Sequence, residues 1–380
     1  MLNNKFLTEV KDFKFLGNII NYRGNFTKTT EELSKKGIKV LFLLRKYMSN
    51  FNFVPTNLSC KLFDTLIRPI LTYNSEIWFM DNFQSAFRAS NRAAVNNTFC
   101  DTLALAEKYP FEKVHSKFGK AVLGLRKTAT NIGARSELGR FTLDSYIKTQ
   151  TLMYFYRINC NDINPLVKES LQTNINLHSE GIYSWYSFAD KNCKEMKINP
   201  ENYSNNNVPF KQSKNMLKCN IKKCVSEEYE KNTLIKLSKM DSSSKLCLYG
   251  KLKNNCQSEE YLNCNNFIHR QLLSKFRLSD HSLGIELGRY RNIPRAQRLC
   301  KKCEVLDDEY HFFLYCDVNI SLRSNLFAYL KDYVPLFQHL DAFNKLKHIL
   351  NPIPELVCHI GVFIKQSLEL RESDPCQARL

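Results

Sequence analysis

Apolar positions along the chain first alternate and then settle into a helical period. Phe13, Phe15, Leu16, Ile19 and Ile20 alternate with polar residues, and Asn21 to Gly24 add turn chemistry, so the first 28 residues predict a β-hairpin. A lone hairpin is marginal in water. It must pack on the helices that follow or join a sheet outside this chain. From Thr29 the period changes: Thr29 and Glu32 have the spacing of a capping box, and Leu33, Ile38, Leu41, Leu44 and Met48 follow at helical intervals. A second helix is written by Leu58, Leu62, Leu66, Ile70 and Tyr73, with Pro69 predicting a kink. Further helical patterns cover about 84–98, 111–123 and 143–160, giving a bundle over 29–160.

Residues 161–215 are polar and Asn-rich, and NPENYSNNNVP around 199–209 has little to bury, so 161–258 predicts a polar connector followed by helices. Leu262, Phe267, Leu272, Leu273 and Phe276 lead a helix into a basic region over 259–325, and 326–380 predicts a helical tail. No internal repeat of fixed period is evident. The fold class expected is mainly α, with a short N-terminal hairpin and a small metal knuckle late in the chain.

Composition narrows the partners. In 380 residues, Lys and Arg exceed Asp and Glu by 55 to 37, for a net charge of +18, which favours a polyanion. Nucleic acid, RNA or DNA, is the first candidate. A membrane partner is not expected, because no apolar run of spanning length is found. The start lacks the apolar region of a secretory signal, so an intracellular location, nucleus or cytoplasm, is expected for the 14 cysteines, as thiols or metal ligands.

Cys300, Cys303, His311 and Cys316 carry the most specific signal. They read CxxC, seven residues, His, four residues, Cys. A CxxC turn lets two thiolates converge on one tetrahedral ion, and the later His and Cys complete it. Thiolate and imidazole donors favour Zn2+, and four protein ligands leave no open position for a reactive water, so the ion expected is structural. Between Phe267 and Cys303, nine basic residues (Arg270, Lys275, Arg277, Arg289, Arg291, Arg295, Arg298, Lys301 and Lys302) face only Asp280 and Glu286. Arg277, Arg289, Arg291, Arg295, Arg298, Lys301 and Lys302 are the expected nucleic-acid contacts. Asp307 and Asp308 read as a solvent-facing acidic turn. No phosphate-cradling glycine motif or catalytic constellation is present, and no small-molecule substrate is expected.

The order of these blocks resembles the C-terminal region of non-LTR, jockey-like retrotransposon reverse transcriptases, from about residue 11 to about 330. FKFLGNIINYRGNF is similar to the block after the polymerase palm, and LFDTLIRPILTYNSEIW to the block that follows. FEKVHSKFGKAVLGL, SELGR and SKFRLSDHSLGIELGRYRNIP lead to a knuckle with DEYHF inside it. Phe15, Asn74 and Ser136 depart from the common residues of the family, as do Asp317 and Asn319 after the last ligand, while Arg323 is retained. The resemblance implies a thumb-like helical region and a CCHC knuckle that handle template and primer. The family's palm aspartates and endonuclease would lie before residue 1, so this chain alone is expected not to polymerise. The competing expectations are a zinc-stapled scaffold that binds protein, an inert relic, or one part of a complete RNA-directed DNA polymerase.

Overall fold

The computed structural model describes residues 10–51, 54–80, 106–160, 164–199, 210–241 and 243–373. The helix expected over 84–98 lies outside them, as does nearly all of the Asn-rich 199–209 stretch. The described chain is mainly helical, with one two-stranded antiparallel sheet. It divides into two compact units, each built from three stretches of sequence. The first uses Met1–Leu44, Phe63–His115 and Phe141–Asn232; the second uses Arg45–Leu62, Ser116–Arg140 and Thr233–Leu380. The units therefore do not follow the contiguous segments expected from sequence.

In the first unit, β1 (Asp12–Phe15) and β2 (Asn18–Asn21) pair in the register Phe13 to Ile20 and Phe15 to Asn18. Leu16 and Gly17 make the two-residue turn between them, both at positive φ, as the twist of a tight hairpin requires. Gly17 has a second reason to lack a side chain: a Cβ there would sit 3.2 Å from the Tyr73 ring, whose hydroxyl donates to the Leu16 carbonyl at 3.1 Å. Asn21 to Gly24 forms a separate turn after the hairpin, closed by a 2.8 Å bond from Gly24 N–H to Asn21 O.

Helix α1 (Thr27–Met48) begins two residues before the expected cap. Thr29 does not cap it. Its hydroxyl accepts from Ile19 N–H at 2.7 Å and donates to Ile19 O at 3.0 Å, tying hairpin to helix, while Glu32 pairs with Lys14 and Lys36. Thr29→Val keeps the shape and removes both bonds. It should cost about 1 kcal/mol and raise amide exchange at Ile19, and an unchanged exchange rate would show the tie to be idle.

Helix α2 (Thr56–Leu62) is followed by a π-helical turn, Phe63–Ile67, and by α3 (Arg68–Leu71). Pro69 sits in the first turn of α3, so the irregularity expected at the proline is taken up by the π turn before it. Asn74 adopts positive φ ahead of α4 (Ser75–Trp78). Helix α5 (Pro110–Val122) begins in the first unit's stretch and ends in the second's, which continues into α6 (Asn131–Glu137).

The first unit also contains α7 (Leu143–Cys160), α8 (Pro165–Ser179) and α9 (Trp185–Glu195). Residues 165–179 and 185–195 are thus helical, where the sequence predicts a polar connector. Asn164 caps α8 through a 3.0 Å bond from Leu166 N–H. Trp185, Phe188, Ala189 and Cys193 bury one face of α9 at helical spacing, a signal diluted by the surrounding polar residues. Helix α10 (Phe210–Ser238) adds Leu217, Ile221, Val225 and Tyr229 to a core with Leu152 and Tyr156.

The second unit continues through α11 (Cys247–Leu252), α12 (Phe267–Arg277), α13 (Gly284–Tyr290), α14 (Ile320–Tyr333), α15 (Ala342–Leu350) and α16 (Val357–Ser373). The expected tail is core: Val357, Ile360, Phe363 and Ile364 pack in one cluster with Leu273, Phe276, Phe312 and Phe313. Burying such side chains contributes roughly 1.5–3 kcal/mol each. Gly361 lets α16 lie tight on α12, because a Cβ there would meet His269 at 2.3 Å. That packing carries Arg371, on the last turn of α16, to the cluster of Cys300, Cys303, His311 and Cys316.

Candidate metal centre

The ligand loop is a small hairpin of its own. Leu299 and Leu306 form a β-bridge, Cys300 N–H donates to Val305 O at 2.7 Å, and Glu304 N–H donates to Cys300 O at 2.9 Å. Glu304 takes positive φ to close the turn. Asp308 then accepts from His311 N–H at 2.9 Å, starting the π-helical turn His311–Tyr315. A 2.7 Å bond from Cys316 N–H to His311 O ends that turn. Two residues that follow hold the exit in place: Asn319 donates to Phe312 O at 3.0 Å and Arg323 to Cys316 O at 2.8 Å.

These turns bring Cys300, Cys303, His311 and Cys316 together, with one donor atom from each within 4.8 Å of the others. The cluster could hold a metal ion. Cys300, His311 and Cys316 are buried, and His311 Nε2 is a buried nitrogen with no hydrogen-bond partner. Such an orphan is costly unless something coordinates it. Three thiols and one imidazole are a soft donor set, and the residues therefore fit a closed four-coordinate site.

A residue that sequence reading missed completes the surroundings. Arg371 places Nη2 3.1 Å from Cys316 Sγ and 4.0 Å from Cys300 Sγ, puts Nη1 2.8 Å from Asp307 Oδ1, and stacks over the Phe312 ring at 4.9 Å. A hydrogen bond from the Cys300 thiol, together with the Arg371 guanidinium, pulls Cys316 down to about 6, whereas donating to Cys316, and burial, push Cys300 up to about 12. Three thiolates and a neutral imidazole around a divalent ion would carry one net negative charge. The guanidinium offsets it.

Asp307 is buried and Asp308 half-buried, which corrects the solvent-facing reading of the acidic turn, and Glu309 beside them is buried as well. Asp307 Oδ2 accepts from Gly284 N–H at 2.7 Å, so this carboxylate links α13, the knuckle and α16. Glu309 lies 2.9 Å from His281 Nε2; burial alone would raise its pKa, and the bond and charge of His281 outweigh that and hold it low.

The expected basic contacts separate into two groups. Arg277 is fully buried, paired with Glu137 and Glu259, and is not a surface contact. Arg270 is likewise buried, donating to Leu262 O and Cys264 O. Arg298 spends its guanidinium on Ile293 O and Ile285 O, both at 2.9 Å, and Arg289 binds Ser243 O and Glu286. Arg291, Arg295, Lys301 and Lys302 are exposed. Tyr290, Leu299, Val305 and Tyr315 are exposed in the same stretch of chain, giving it apolar as well as cationic surface.

One arrangement in the first unit has the composition of a hydrolase triad. His178 Nδ1 lies 2.9 Å from Ser187 Oγ, and its Nε2 lies 3.7 Å from Asp190. Ser187 is buried and its hydroxyl accepts from Ser184 N–H at the start of α9, while Asp190 pairs with Lys194 at 2.7 Å. Ser184 and Ser187 form the capping box of α9, which accounts for the buried hydroxyl. Among the described helices none is long and apolar enough to cross a membrane. Comparison of the chain with protein-family models, curated proteins and solved structures finds no match.

Proposed function

We propose that the chain is a non-catalytic nucleic-acid-binding protein whose second unit folds around a structural zinc ion, and that it corresponds to the region after the palm of a non-LTR retrotransposon reverse transcriptase. One observation carries this reading: four exposed cations, Arg291, Arg295, Lys301 and Lys302, stand on and beside the loop that carries the Cys3His cluster. Zinc is the ion of choice because it takes thiolate and imidazole tetrahedrally and brings no redox chemistry. When bound, it would lock the loop and so fix the cations against a phosphate backbone. The net charge of +18 adds long-range attraction to either RNA or DNA. In this reading the compartment is the nucleus or cytoplasm, where the ligand thiols stay reduced, and polymerisation belongs to a palm outside this sequence.

The test combines metal analysis with binding across a salt series. Native mass spectrometry should find one zinc per chain, lost on Cys303→Ser. Affinity for RNA or DNA should fall steeply from 50 to 200 mM salt. Replacing Arg291, Arg295, Lys301 and Lys302 together by Ala should flatten the log–log slope by about 3, at roughly 0.7–0.9 per phosphate contact. Arg298 is left intact because it holds the loop together. Salt-independent binding, or none at physiological ionic strength, would overturn the reading.

A further inference from the structure

A cleft of about 390 Å³ opens between the knuckle, α13 and α16. Its volume is inside the range of about 300–1,000 Å³ typical of small-molecule sites. Leu287, Leu299 and Leu368 give it apolar walls, while Arg291, Lys301, Lys302 and Arg371 outnumber the acidic Asp307 and Glu372 in its lining. Leu287 and Leu299 are more than a third exposed, so the apolar surface is open to a ligand.

Arg371 also lines the cleft, with its guanidinium held by Asp307 and the cysteine thiols. It is nine-tenths buried, and its two Nη atoms are used on Asp307 and Cys316, yet its Nε is buried without a partner. The site thus sets apolar walls beside positive charge, which suits an apolar body that carries an anion.

We propose that this cleft holds one unpaired nucleotide, with its base against the three leucines and its phosphate on Arg291, Lys301 and Lys302, so that the chain prefers single-stranded to fully paired nucleic acid. The proposal rests on the nucleic-acid reading above. A base inside a duplex is stacked on both faces and cannot enter a concave site, whereas an unpaired base loses little by leaving its neighbours. Phosphate contact alone does not make this distinction.

The experiment measures the affinity of the full zinc-loaded chain, at fixed salt, for three probes of one sequence: a single strand, a perfect duplex, and the duplex with one unpaired nucleotide. The single strand and the bulged duplex should bind about tenfold more tightly than the perfect duplex, as expected for roughly 1.4 kcal/mol from one base. Leu287→Trp fills the cleft and should bring that ratio close to one. Leu299→Trp, from another wall, gives the same readout should the first variant misfold. Equal affinity of the unmodified chain for all three probes, with normal salt dependence, overturns the cleft and leaves the nucleic-acid reading standing. Persistence of the ratio in a folded, zinc-loaded cleft variant does the same. Failure to bind any probe overturns both.

Discussion

Stripping the ion from the Cys300, Cys303, His311 and Cys316 cluster is expected to unfold the core of the second unit, not merely to loosen its loop. The ligand loop carries Phe312 and Phe313, fully buried in that unit's main cluster against Phe276 and Phe363. Arg371 and Asp307 bolt the same loop to α16 and α13. Apparent binding energies for structural zinc run about 10–16 kcal/mol in small peptides, against a total of about 5–15 kcal/mol for a whole domain. A zinc ion bound there would therefore supply a term comparable with all the net stability such a unit has. A strong chelator, or Cys303→Ser, should lower the melting temperature by tens of degrees and erase amide protection over 357–373. Arg371→Met should reproduce part of this, weakening metal affinity about 10- to 100-fold, the usual cost of losing a group that supports metal ligands. Protection of 357–373 that survives metal removal would show α16 to be independent of the centre.

Glu137→Gln should destabilise the second unit by about 3–5 kcal/mol, because it leaves the Arg277 guanidinium buried beside a weaker partner. Arg277 donates to Glu137 Oε1 at 2.5 Å and Oε2 at 3.2 Å, contacts Glu259 at 3.0 Å, and donates to Leu350 O at 2.6 Å. Tyr261 donates to the same Glu137 oxygen at 2.5 Å. Burial acting alone would raise the Glu137 pKa; Arg277, in charge and hydrogen bonding, outweighs it and holds the carboxyl below its ordinary 4.5. A carboxyl depressed in the folded state contributes its full stability above the unfolded value and loses it as pH falls through the folded one. Acid denaturation of the unmodified protein should thus deepen below about pH 4.5, and the Gln variant should show a shallower slope there. Denaturant titrations at pH 7 and pH 4 read both effects, and a loss under 1 kcal/mol at pH 7 would show that the network has other support.

The Cys3His cluster was legible because a CxxC turn and a following His and Cys need only local chain to converge. The N-terminal hairpin was legible too, from alternation. Arg371 was not, since it meets Cys316 across 55 residues and nothing near it in sequence marks it as a partner of thiols. Arg277 and Arg291 look alike in a run of basic residues, yet one is fully buried and the other exposed. What separates them is Glu137, 140 residues upstream. Thr29 shows a local ambiguity: one hydroxyl suits a capping box and a tie to Ile19 equally, and tertiary packing chose the tie. Helix α9 was missed because four apolar positions were outnumbered by polar neighbours.

The separation of Glu137 from Arg277 also has a meaning in time. A ribosome adding about 5–20 residues per second needs roughly 7 to 30 seconds to traverse the 140 residues between them. Through that interval the carboxylate is without the guanidinium that sets its pKa, and Leu123, Ile132 and Leu138 lack the later helices that cover them. The emerging chain must keep this early segment soluble while it waits, a demand that a unit assembled from one unbroken stretch would escape.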